Sequence, residues 1–192
     1  MDGLFTIVIA AVVGRLCWSP LGYAIHGLLS HRFRTLVTPL HWGHHRMPAA
    51  VFTSPLAWIP TAGALFALAV GLSGVALGAA FSLGLLVGFL RYELVHWRIH
   101  FCVPRSAHER RLRDHPLAQH FVDPRAYHGV TSHVWDHVFG TLPATRETDY
   151  QRGSRFPPIG EPSNLRASWS PVATVRAVRQ VLAPSAGSDR ET

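Results

Sequence analysis

The 192-residue chain contains no lysine; its 18 lysine-plus-arginine positions are all arginine, against 11 acidic residues, for a net charge of +7. That absence reflects base composition, because most exposed surfaces accept either cation. The arginines flank apolar segments and form no basic run with interleaved aromatics. This pattern argues against nucleic acid and for a charge bias across a membrane. Cysteine is scarce: Cys17 and Cys102 stand alone, which excludes both a disulfide framework and a cysteine zinc ribbon. The start, MDGLFTIVIAAVVG, lacks the basic residue that precedes the apolar run of a signal peptide. Charge itself is missing from Pro55 to Leu90, 36 residues in all. As a single helix that run would measure about 54 Å, against about 30 Å of hydrocarbon core. It is expected to cross twice, turning at Gly71-Leu72-Ser73-Gly74.

A second apolar stretch covers Leu4 to Leu29, interrupted by Arg15. An arginine at the centre of a membrane helix costs about 2.5–3.5 kcal/mol on insertion scales, so this segment is expected to lie tilted or to let Arg15 snorkel. From Arg91 to about Gly140 the chain is charged, with polar helical stretches. Beyond Thr141 it becomes rich in Pro, Ser and Arg (FPPIGEPSN, Phe156–Asn164). The expected division is a membrane-embedded domain over 1–140 and a largely disordered tail over 141–192. The tail carries one short helix, capped by Ser170 with Pro171 at its first position and running to Leu182.

What the chain has in excess is histidine: 13 residues, most of them in four short clusters. HGLLSH (His26, His31) and HWGHH (His41, His44, His45) precede the uncharged run; HWRIH (His96, His100) and HPLAQH (His115, His120) follow it. His41, His44 and His45 fall at i, i+3 and i+4 and share one side of a helix, as do His96 and His100. Glu93, three residues before His96, extends this to Glu-x-x-His-x-x-x-His, a pattern that helical bundles use to hold two metal ions. His26 and His31 lie about 140° apart on a regular helix and need local unwinding to converge, for which Gly27 gives room. Histidine clusters at both ends of a membrane hairpin point to a multi-metal centre at a bilayer surface. Imidazole alone does not select the metal.

The order HxxxxH, HxxHH, apolar hairpin, HxxxH and a terminal histidine set resembles the fatty acid hydroxylase and sterol desaturase superfamily of membrane oxygenases. The segments that carry the resemblance are HWGHHRMPAAVFTSP (His41–Pro55), YELVHWRIHFCVPRS (Tyr92–Ser106), RRLRDHPLAQHF (Arg110–Phe121) and HGVTSHVWDHVFGT (His128–Thr141). The resemblance implies metal ligands at His26, His31, His41, His44, His45, His96, His100 and His120, with Glu93 and Gln119 behind them as supports. It implies an all-α integral membrane bundle with a transmembrane hairpin and a cytosolic, histidine-rich helical cap. It also implies two non-haem irons (zinc being an alternative in isolated protein) that activate dioxygen to attack a C–H bond of a lipid. The metal centre itself would do the chemistry, with no separate side-chain acid or base.

The fourth cluster departs from the family's HHxxHH: Pro116 and Gln119 stand where histidines are expected. His115, His128 and His133 are the candidate replacements. The expected function is hydroxylation, or desaturation, of a fatty acyl chain, sterol or carotenoid. The partners are a bilayer lipid, O2 and a separate electron donor (a ferredoxin, cytochrome or reductase), with no nucleic acid. The location is the inner or plasma membrane, with the clusters facing the cytoplasm. The alternative is a catalytically degenerate member that binds metal or serves a structural role. A histidine-lined transporter fits poorly, because Pro55–Leu90 contains no histidine. His108 reads as a surface residue, His137 as an interfacial residue beside Trp135 and Phe139 with a metal ligand as the alternative, and Asp123 and Asp136 as caps or arginine partners.

Overall fold

The computed structural model describes residues 2–33, 35, 37–156 and 158, and among these the only regular secondary structure is helical. Helix α1 (Asp2–Tyr23) continues directly into a π-helical stretch, Ala24–Arg32. There follow α2 (Thr38–Arg46), α3 (Pro55–Ser73), α4 (Val75–Phe101), α5 (Ala107–Phe121), α6 (Val134–Phe139) and α7 (Arg146–Gly153).

Three segments are long and apolar enough to cross a bilayer: Gly3–Arg32, Pro55–Ser73 and Val75–Phe101. Their large apolar side chains, among them Leu4, Phe5, Leu68, Leu72 and Leu83, are exposed, as expected where lipid is the solvent. The hairpin turns at Gly74, whose φ of +80° is a conformation that costs glycine little. The turn lies at the end of the glycine-serine stretch singled out in the sequence. Helix α4 has 27 residues, about 40 Å, and so extends past the hydrocarbon and carries His96 and His100 beyond it. Arg15 sits on the exposed side of α1.

Helix α1 lies along α4, and α3 packs against α4's other flank. The α1–α4 seam depends on missing side chains. A Cβ on Gly14 would overlap the carbonyl of Phe81, and one on Gly84 would overlap the carbonyl of Ala11. Lipid tails give helices no hydrophobic reason to associate, so close backbone approach through small residues supplies the contact. Gly84→Val should therefore push the helices apart and cost at least the ~1–3 kcal/mol of an overpacked core. Thermal unfolding in detergent should show a lower midpoint for this variant than for Gly63→Val, where a Cβ meets nothing.

The remaining helices form the cap. Ser106 caps α5 by accepting from the Glu109 amide at 3.1 Å, while the Glu109 carboxylate takes the Arg105 amide and the Arg98 guanidinium. Pro116 lies inside α5 and is fully buried, so it packs in the core of the cap. Helix α7 packs on α5, with Gly153 against Leu117 and Ala118. Packed structure thus continues beyond residue 140, where the tail was expected to begin. The helix expected at Ser170–Leu182 lies outside the described residues.

Candidate metal centre

The π-helical stretch answers the awkward spacing of His26 and His31. Its i→i+5 hydrogen bonding, continued by the Phe33 amide donating to the Leu28 carbonyl at 2.8 Å, brings residues five apart onto one face. Both imidazoles then meet those of α2. The Nε2 atoms of His31 and His41 are 2.8 Å apart, those of His41 and His45 3.0 Å, and those of His45 and His31 3.2 Å. His26, His31, His41 and His45 form one group whose ligand atoms all lie within 4.8 Å of one another.

His44 goes elsewhere. At about 100° per residue, His45 lies some 40° to one side of His41 and His44 some 60° to the other. The HxxHH motif therefore serves two centres. His44 joins His96 and His100 of α4 and His120 of α5, again within 4.8 Å, with its Nε2 3.2 Å from that of His120. All eight histidines that the resemblance implies as ligands fall into these two groups of four.

The groups fit a cation. Each neutral imidazole carries one N–H for two nitrogens, so crowded nitrogens turn lone pairs toward one another. Nitrogens sharing a tetrahedral ion at about 2.0–2.1 Å stand about 3.3 Å apart, close to the spacings found here. His100 Nε2 is buried without a hydrogen-bond partner. Burial, and then the neighbouring imidazoles, hold His41, His44 and His120 well below the usual histidine range and bring His45 down to about 3. These imidazoles are neutral at pH 7, the form that binds metal. His26 is oriented by its Nδ1–H, which donates to the His128 carbonyl at 2.8 Å and leaves Nε2 free for the group.

The candidate replacements part company. His128 sits beside the first group, its ring centroid 5.2 Å from that of His31. His115 and His133 do not reach either group. His115 donates from Nε2 to Asp136 Oδ2 at 2.9 Å and accepts at Nδ1 from the Tyr150 hydroxyl at 2.6 Å; the His133 ring stacks on it at 3.8 Å. Glu93 turns away from the histidines and accepts from the amide and hydroxyl of Thr53, fastening the α2–α3 connection to α4. Gln119, in contrast, touches His26 and His31 directly. His108 and His137 are exposed, and Asp123 caps the Arg125 amide.

Asp136 corrects the sequence reading, which had it capping or pairing with arginine. It is fully buried and accepts from His115, from the His128 and Gly129 amides and from the Thr141 hydroxyl. Burial alone would raise its pKa; the hydrogen bonds from His115, Thr141 and the His128 amide outweigh that and hold it below the ordinary carboxylate value. Tyr127, just before His128, has a φ of +62° and is held by its hydroxyl donating to Asp149. Such a conformation persists in a bulky residue only where its surroundings enforce it. No local signal marks Asp136, because its partner His115 is 21 residues away.

A cavity of about 480 Å³ opens on both groups, with His26 and His41 of the first and His44 and His96 of the second in its wall. It runs among α1, α3 and α4 past Trp18, Trp58 and Leu85 to Ala79, and no Asp, Glu, Lys or Arg lines it. From His96 to Ala79 is 17 residues of α4, about 26 Å.

Two four-histidine groups that could each hold a metal ion, at the ends of apolar spans and opening on an uncharged cavity, define a class of helical membrane protein. The fatty acid hydroxylase family model matches residues 11–141, and the chain belongs to that family. It is 31% identical over 144 residues to the dihydroceramide fatty acyl 2-hydroxylase FAH2 of Arabidopsis thaliana, covering 69% of this chain and 60% of that one. It is 28% identical to the fatty acid 2-hydroxylase of Rattus norvegicus, over 68% of this chain and 38% of the relative. Among solved structures, full-length scs7p, in which only the hydroxylase domain is visible, matches with a TM-score of 0.65 at 26% identity. That match covers 73% of this chain and 57% of that one. The chain thus spans less than two thirds of the length of each of these relatives.

Proposed function

We propose that the chain is a membrane-bound, O2-dependent hydroxylase of lipid acyl chains, with iron held by the two histidine groups. The observation that carries this reading is the uncharged cavity that ends on both groups at once. When bound, iron activates O2 toward an unactivated C–H bond. One oxygen atom enters that bond to give an alcohol, and the other leaves as water with two protons and two electrons. The electrons come from a separate ferredoxin, cytochrome or reductase.

The chain's own residues bind and orient. Trp18, Trp58, Leu85 and Phe89 give an aliphatic chain apolar contact, and no Lys or Arg lines the cavity to pair with a carboxylate, which favours an amide- or ester-linked acyl group over a free acid. The far end of the cavity lies among apolar residues of the membrane spans, so the tail goes there and the polar end stays at the histidines. The carbon presented to the metals is then one near the head of the chain. That agrees with relatives named as 2-hydroxylases and favours a fatty acyl substrate over a sterol or carotenoid. Arg32, Arg46, Arg98 and Arg105 cluster near the histidine-bearing ends of the spans, which supports a cytoplasmic face for the centre in an inner or plasma membrane. A catalytically degenerate protein has less support, because both groups retain four imidazoles despite Pro116 and Gln119.

Full-length protein, loaded with ferrous iron and placed in vesicles of amide-linked and ester-linked acyl lipids, should be given an electron donor and 18O2. Mass spectrometry should find one labelled hydroxyl per product, near the carbonyl. An alkene product would overturn hydroxylation, and unchanged lipid from iron-loaded protein would overturn the enzyme reading.

A further inference from the structure

Adjacent residues on a helix project about 100° apart, and α2 uses this to send His45 to the first group and His44 to the second. Helix α5 repeats the device. Its His120 enters the second group, and the preceding residue, Gln119, is directed at the first. We propose that Gln119 is an oxygen donor to the metal ion of the first group and that His128 is the positioning residue that orients its carboxamide. This rests on the reading of the two groups as metal sites.

The contacts of Gln119 carry the argument. Its side chain is fully buried. Its terminal Nε2 lies 3.2 Å from His26 Nε2, 3.2 Å from His31 Nε2 and 3.0 Å from His128 Nδ1. An amide nitrogen has two hydrogens and cannot serve three acceptors, while Oε1 is buried with no partner at all. Once His26 and His31 give their lone pairs to a cation, no acceptor remains on them for the amide hydrogens. Turning the carboxamide by 180° fills the same volume and brings the oxygen, a metal-binding atom, to the edge of the group. His128, in the tautomer protonated at Nδ1, then donates to that oxygen and fixes the orientation. The loop carrying His128 is anchored independently, because Asp136 accepts the amides of residues 128 and 129. The first group becomes four imidazoles and one neutral oxygen, harder than an all-imidazole set and well suited to ferrous iron.

The full chain in detergent should be loaded anaerobically with ferrous iron, and iron per chain followed as a chelator is raised. The native protein should hold two irons. Gln119→Met, close in size but without the oxygen, should release one of them at a chelator concentration at least ~10-fold lower, since a direct ligand should matter no less than the supporting groups behind it. The retained second iron reports that the variant is folded. Gln119→Glu and Gln119→His should keep both irons. His128→Phe should weaken the same iron by a smaller factor and be rescued by Gln119→His, whose ring does not depend on the His128 N–H. Unchanged release from Gln119→Met, or equal weakening in Gln119→Glu, would overturn the proposal alone. Native protein that takes up no iron would overturn the reading of both groups as metal sites.

Discussion

His44→Ala should remove the ion of the second histidine group and abolish lipid hydroxylation. The His44 ring lies at the middle of its group, with centroid separations of 4.6 Å to His96, 5.0 Å to His100 and 4.7 Å to His120. It is also the group's only contribution from α2, the remaining three coming from α4 and α5. Alanine removes a quarter of the donors and the tie between α2 and the cap. The loss of affinity should exceed the roughly 10–100-fold typical of residues that support a ligand from behind. Iron content after dialysis and product formation from a vesicle lipid should fall together. His108→Ala, on the exposed side of α5, should change neither. Full iron content in His44→Ala would remove the second group as a site.

The second large effect belongs to Asp136. Replacing it with alanine strands the His115 Nε2–H and the backbone amides of His128 and Gly129, all buried, while the Thr141 hydroxyl keeps Tyr23 as its partner. Each stranded buried group costs about 1–3 kcal/mol. Such a loss is a large part of a typical folding free energy, so the variant should unfold at markedly lower temperature in detergent. Asp136→Asn keeps the volume and one accepting oxygen and should fall between. The pH dependence has a definite sign. Because the carboxyl is held below its unfolded value, its stabilisation is complete above about pH 4 and is lost only as the pH falls through the lower folded value. Stability limits that fall nearer pH 6 would have to come from other groups.

The sequence made the histidine groups legible because most of their members come in local patterns. Residues three or four apart on a helix share a face whatever the rest of the chain does. Those spacings picked out His41, His44, His45, His96 and His100, the family resemblance added His26, His31 and His120, and the charge-free run with its glycines located the hairpin and its turn at Gly74. The division into two groups was not read, although the angles between positions 41, 44 and 45 contain it. The cap was hidden for a different reason. Asp136 finds His115, Tyr127 finds Asp149, and Tyr23 finds Thr141 118 residues away, all through pairings that leave no periodic trace. His128 was named from the sequence only as a candidate ligand; its place against Gln119 depends on a loop turned by a left-handed Tyr127 and anchored by Asp136.

The widened stretch at Ala24–Arg32 also separates two rotational settings along one rod. Toward its start, the rod must show Gly14 to Gly84; toward its end, it must show His26 and His31 to α2. In an unbroken α-helix, choosing one orientation dictates the other, and tuning the seam would swing the ligands around. A stretch of different pitch works like a coupling between two shafts, so that each half can be clocked on its own. Deleting Gly27 would shorten the ligand spacing to four, which an ordinary α-helix already places on one face, so both histidines could still meet α2. The mismatch would instead be passed along the rod to Gly14, turning a one-residue change near the histidine groups into a misfit in the middle of the α1–α4 seam.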